Sequence, residues 1–217
     1  MVALSTALKE RTATAHTRAE ESDFVTNLVH GDACRGAYSA MVIQHLAIYR
    51  ALEGGLDRLA GHPLLTPVDD PALRRVSALE DDLRALGVEV ETVGAERVLP
   101  ATRQYVDALE GADAETLLAN HYVRYLGDLS GGQIVSRLVQ RHYQLGDDVV
   151  SFYRFPEIEK PKTYKDRYRA TLDALDLSAG QRERVLDQAE ESFEMNRSVF
   201  ADLSAARGGA HLAAGVG

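Results

Sequence analysis

The sequence predicts an all-α, single-domain fold on three observations. Apolar residues recur at three- and four-residue spacing along most of the 217 residues. No segment alternates apolar and polar residues strongly enough to rival that period. Capping and stop residues fall at the ends of the periodic segments. In chain order, a first helix is expected over 5–21 and a short one over 24–29. Tyr38, Met41, Val42, His45, Tyr49, Leu52, Leu56 and Leu59 then share one face of a long helix. Asp70 supplies a cap and Pro71 a first-turn proline for a helix carrying Leu73, Val76, Leu79, Leu83 and Leu86, and Gly87 stops it. Asp113 caps a helix over 114–142. Ser178 and Gln181 form a capping box ahead of Val185, Ala189, Phe193, Phe200 and Leu203. Loops are expected at 61–69, 87–99 and 146–162. A single domain over 1–205 is followed by a small, Gly-rich tail at 206–217, expected to be flexible.

Composition narrows the function. The formal charge is −9, with 24 basic and 33 acidic residues, which argues against nucleic-acid binding as the main task. A partner with a basic docking face would suit that charge. The single cysteine, Cys34, excludes an internal disulfide framework and Cys-rich metal sites. It fits a reducing, cytoplasmic setting. No apolar run approaches the ~20 residues of a membrane span, and the N-terminus lacks a signal-peptide layout. There is no phosphate loop, dinucleotide fingerprint or Gly-x-Ser-x-Gly elbow, and no histidine follows a glutamate by three residues.

Four constellations carry possible chemistry. Within Tyr122–Gln133, Gly127, Gly131 and Gly132 each cost about 1 kcal/mol against alanine in a helix interior. Gly127 and Gly131 share a face, which serves either close helix packing or a backbone pressed against a flat ligand, with a local kink. Asp128 lies one turn after Arg124. It pairs with that arginine or, beside the bared face, orders water and protons. His16 has Glu20 one turn later, where a carboxylate can fix the tautomer of a metal-binding imidazole; Lys9 precedes it by two turns. Lys165 and Arg169 form a cationic edge that is solvated or pairs ligand carboxylates. Asn196 interrupts an apolar stripe, as a satisfied buried amide or as part of an internal network.

The stretch Tyr-x-Arg-Tyr-Leu-Gly-Asp-Leu-Ser-Gly-Gly-Gln at 122–133 resembles the distal-helix signature of the haem oxygenase family. Thr14-Ala-His16-Thr-x-Ala-Glu20 resembles that family's proximal-ligand segment, and Tyr164-Lys165-x-x-Tyr168-Arg169 its propionate-binding segment. The stretches at 45–53 and 193–203 also resemble family helices, so the likeness covers about 5–205. It implies haem held between a proximal and a kinked distal helix. His16 becomes the proximal ligand of the haem iron, seconded by Glu20. Gly127, Gly131 and Gly132 bring distal backbone over the porphyrin. Asp128 anchors a distal water network joined by Tyr49, Arg124 and Asn196. Lys9, Tyr122, Lys165 and Arg169 hold the propionates. Asn120 departs from the family, where histidine is frequent.

The implied reaction uses haem b as substrate and cofactor. O₂ and electrons from an external donor, a ferredoxin- or flavoprotein-type reductase, open the ring at the α-meso carbon to biliverdin, CO and Fe²⁺. The resemblance further implies a soluble bacterial-type protein without a membrane anchor, expected to be a monomer. A haem storage or transfer protein without ring cleavage is the alternative; it needs His16 and the cationic edge but not Asp128 or the glycine face. A thiaminase-like hydrolase would need an activated Cys34, and a purely structural helical module leaves the glycines unexplained.

Overall fold

The computed structural model describes residues 2–206, apart from the side chains of Arg35 and Thr92. Among the described residues the regular structure is entirely helical: α1 (Leu4–Glu20), α2 (Asp23–His30), α3 (Arg35–Arg58), α4 (Val76–Ala85), α5 (Pro100–Glu110), α6 (Ala114–Ser130), α7 (Gly132–Tyr143), α8 (Pro161–Asp173) and α9 (Ala179–Ala206), with short 3₁₀ turns between them. Ala206 closes α9, and the rest of the expected tail, 207–217, lies outside the described residues.

Two helices organise the packing. α9 lies against α1, α2, α5 and α6, while α3 lies against α4, α5 and α6. The apolar face expected for α3 is buried as its spacing requires: Tyr38, Tyr49 and Leu52 are fully inaccessible. The capping box at the start of α9 forms in both directions, Ser178 N–H to the Gln181 amide oxygen at 3.1 Å and Gln181 N–H to Ser178 Oγ at 3.3 Å. Asp113 likewise caps α6 through the Thr116 N–H at 2.9 Å.

Three expectations are corrected. Asp70 caps only the 3₁₀ turn Pro71–Leu73, accepting from Ala72 N–H at 3.0 Å. α4 begins later, at Val76, because its first donors are taken by a carboxylate from another helix: Glu53 of α3 accepts from Arg75 N–H at 2.6 Å and Val76 N–H at 3.2 Å. The helix expected over 114–142 is two helices, α6 and α7, which meet at Gly131. A further helix, α5, starts with Pro100 at its first turn, and its end borders the Asp113 cap.

Cross-helix caps also fix the edges of α1. Its first turn has no local side-chain cap; Asp173 at the end of α8 accepts from both Ser5 N–H (2.7 Å) and Ser5 Oγ (2.9 Å). On the other flank, Arg11 reaches Glu183, Asp187 and Glu190, which run along α9.

Candidate functional site between the first and sixth helices

α9 forms the back of the site. Phe193 and Asn196, one turn apart on α9, touch α1 and α6 respectively. The His16 ring meets Phe193 edge-on at 5.3 Å, and Asn196 Oδ1 accepts from Arg124 Nη1 at 2.8 Å. Both α9 residues are partly exposed, so they border open space.

On the α1 side, the His16 side chain is 50% exposed, and its Nδ1 lies 3.3 Å from Glu20 Oε2. That contact engages one ring nitrogen and leaves Nε2 for a ligand, the arrangement that orients metal-binding histidines. Lys9 is exposed on the same helix.

On the α6 side, the acid and its partners come from three helices. The Tyr49 hydroxyl of α3 donates to Asp128 Oδ2. The Arg124 guanidinium lies 4.8 Å from the centre of the Tyr49 ring, and its charge acts on Asp128. Burial raises the Asp128 carboxyl to about 6, against the opposing pull of Arg124, the Tyr49 hydroxyl and Arg75. Burial drives the Tyr49 phenol well above its ordinary value, and Asp128 adds to the rise. Tyr49 therefore stays a hydrogen-bond donor, while Asp128 exchanges a proton close to neutrality. Of the two roles open to Asn196, the structure selects membership of an internal network.

The glycines divide by direction. A Cβ added to Gly127 meets nothing within 4 Å, and one on Gly131 meets only the Gly127 carbonyl, at 3.8 Å. Both look onto open space. Gly132 is buried instead, and a Cβ there would sit 2.8 Å from Tyr153 Cδ1. Its missing side chain serves packing at the corner, where Gly131 N–H bonds back to the Gly127 carbonyl at 2.8 Å.

The cationic edge lies on α8. Lys165 Nζ is 3.0 Å from Ser130 Oγ at the end of α6. Arg169 is exposed, paired with Asp166 at 3.0 Å, and close enough to half-buried Tyr122 to oppose the burial-driven rise of that phenol. Lys165 and Arg169 of α8 thus both reach α6, the first at Ser130 and the second near Tyr122.

Several supporting residues escaped the sequence reading. Tyr105 of α5 donates to Asn120 Oδ1 at 2.7 Å and lies 2.6 Å from Ser192 Oγ; it is fully buried and lies within the field of Arg124. Asn120 also bonds Thr116 O at 2.9 Å, so the departure from histidine leaves the amide satisfied on both ends. Asp82 accepts from Ser151 N–H (2.6 Å) and Phe152 N–H (2.9 Å), fixing a turn whose Phe152 ring backs Tyr49 at 5.4 Å and whose Tyr153 abuts Gly132. The spacing of Tyr105 and Leu109 after Pro100 would have revealed α5; no local signal marks Asp82.

A half-exposed imidazole, glycines facing open space and a carboxylate raised to about 6 together make the candidate site of this helical fold. The Heme oxygenase family model matches residues 2–202. Rat heme oxygenase 1 is 36% identical over 208 residues, covering 93% of this chain and 72% of the rat protein. Heme oxygenase 1 of Synechocystis is 33% identical, covering 93% of this chain and 85% of that one. The crystal structure of the Synechocystis enzyme in complex with heme superposes with a TM-score of 0.88 at 32% identity, over 95% of this chain and 94% of that chain. The Leptospira interrogans heme oxygenase gives 0.84 at 31% identity, over 92% and 99%. The chain belongs to the haem oxygenase family, the haem-degrading oxidoreductases. Among the described residues, no helix is long and apolar enough to cross a membrane.

Proposed function

We propose that this chain binds haem b between α1 and the α6–α7 corner and oxidises it at the α-meso carbon, giving biliverdin, CO and Fe²⁺. The observation that carries the reading is the pairing made by α9. Phe193 and Asn196, one turn apart, connect an available imidazole on one side with an acid network on the other. The residues fit haem: one histidine nitrogen held by a carboxylate and one left free, a glycine face bare of side chains, and the cations Lys165 and Arg169 for carboxylates.

Haem, when bound, supplies both the iron that activates O₂ and the carbon that is oxidised. The rest falls to the chain. His16 Nε2 would ligate the iron, with Glu20 at Nδ1 orienting the ring; an imidazole ligand pushes less electron density than a thiolate. Gly127 and Gly131 admit the macrocycle and leave the distal space free of side chains. Asp128, steadied by Tyr49, holds water and passes a proton through it, which its value near 6 suits. Arg124 and Asn196 keep that carboxylate's surroundings polar. Lys9, Tyr122, Lys165 and Arg169 hold the propionates. Electrons come from outside, from a ferredoxin- or flavoprotein-type reductase, and the protein works as a cytoplasmic monomer.

Haem storage without cleavage would leave the Tyr49–Asp128–Arg124–Asn196 arrangement without a task. The test is direct: the chain is loaded with haem, its absorption spectrum recorded, and ascorbate added in air. Conversion to a green verdin product supports oxygenation. An intact haem spectrum after reduction supports storage.

A further inference from the structure

α8 carries Lys165 and Arg169, and its rotation about its own axis decides where both point. One buried polar contact, made by Tyr168, acts on that rotation, beside the fully buried Leu172 one turn later and the Asp173–Ser5 cap at the end of the helix. Tyr168, next to Arg169 and three residues after Lys165, is 4% exposed. Its hydroxyl lies 2.7 Å from Nδ1 of His121 in the middle of α6, and His121 is fully buried. The two rings stack at 5.6 Å with an interplanar angle of 6°. His121 is held in turn by Tyr125, edge-on at 4.5 Å. Burial, helped by the charge of Arg74, lowers the imidazole to about 3, and burial raises the Tyr168 phenol well above its ordinary value. The contact is therefore between two neutral groups and persists across the working pH range. The other polar contacts from α8 to neighbouring elements are more exposed: Lys165 to Ser130, Asp173 to Ser5, Arg167 to Asp70, and Tyr164 to Asp70, at 2.8 Å and half-buried, which ties α8 to a loop.

We propose that His121 is a positioning residue: through Tyr168 it sets the rotation of α8, and so the direction from which Lys165 and Arg169 meet the haem propionates and the meso edge that is presented for attack. The proposal rests on the reading that the chain binds haem. His121 itself touches no substrate. A fully buried hydrogen bond between two neutral groups resists rotation of the helix more than an exposed one does, because breaking it strands a buried donor or acceptor.

The test compares the wild type, Tyr168→Phe, His121→Phe and the double variant as haem complexes. Tyr168→Phe keeps the stacked ring and removes only the hydroxyl, so it folds even where a change at His121 does not. Haem seating is read from the proton NMR spectrum of the ferric cyanide complex, the product from the biliverdin isomer ratio, and haem affinity by titration. Each single variant is expected to show a second set of haem resonances and several-fold more of a minor isomer, with affinity within about threefold of the wild type. The double variant should match the single ones, because all three lose the same bond. Variants that melt earlier but keep one haem orientation and the wild-type isomer ratio would overturn the inference while leaving the proposed function standing. A wild type that takes up no haem would overturn both.

Discussion

The α1 and α6 sides of the proposed haem site are built differently. The α1 wall presents one functional imidazole, half-exposed, whose orientation depends on one carboxylate four residues away and one phenylalanine across the gap. It packs against α9, with Leu8, Ala15 and Ala19 among its buried residues, and exposed ion pairs around Arg11 add to that attachment. The α6 wall presents a partly buried acid whose partners arrive from α3 and, through Arg124, from α9, and whose backing turn is held by Asp82 of α4. A ligand atom needs access and one oriented lone pair, which local sequence supplies. A proton-handling group needs a tuned affinity, which only burial among distant partners supplies.

The strongest way to break this comparison is at the α1 wall. His16→Ala should abolish the ligated-haem spectrum and turnover, and added imidazole should restore part of both. A normal spectrum in that variant would remove His16 from the role.

The α6 wall should fail differently. Asp128→Ala is expected to bind haem nearly normally while its biliverdin yield per bound haem falls by roughly 10²-fold, with Asp128→Asn between it and wild type. Stability gives an independent measurement. Because the folded-state value, about 6, lies above the ordinary 3.8, the native protein holds the extra proton between them. The cost of the buried ionised form is absent below pH 4, grows through that interval and is complete above pH 6. Asp128→Asn should therefore be more stable than wild type at pH 7, by at most about 3 kcal/mol, and no more stable at pH 4. If the main role of Asp128 were an ion pair with Arg124, the same variant would lose stability at pH 7.

The glycines sharpen the contrast within one segment. Gly132→Ala should cost about 1–3 kcal/mol in chemical denaturation, since its methyl meets Tyr153. Gly127→Ala should gain up to about 1 kcal/mol in the haem-free protein and bind haem more weakly, because its methyl enters the space left for the ring. The smallest effect is expected for Arg11→Ala, a slight fall in Tm at low salt that disappears at high salt, as exposed ion pairs are screened.

The helices whose apolar faces repeat regularly, α1, α3 and α9, are legible in the sequence to within a few residues, as is the capping box at Ser178. The boundaries that were not legible share a cause. α4 starts at Val76 because Glu53, on another helix, takes its first N–H groups, and α1 is capped by Asp173 from the far end of the chain. Gly132 looked like its neighbours until Tyr153 was placed against it.

By itself the sequence determined the helical class and the glycine segment, because periodicity and glycine cost are properties of adjacent positions, and its resemblance to the haem oxygenase family pointed to the candidate residues. Tertiary structure alone decided that Asn196 meets Arg124, that Tyr49 donates to Asp128, that Tyr105 and Asp82 support them and that His121 stacks on Tyr168. These pairings join positions far apart along the chain, and a buried side chain takes its partner and its proton affinity from whichever groups packing brings within a few ångströms.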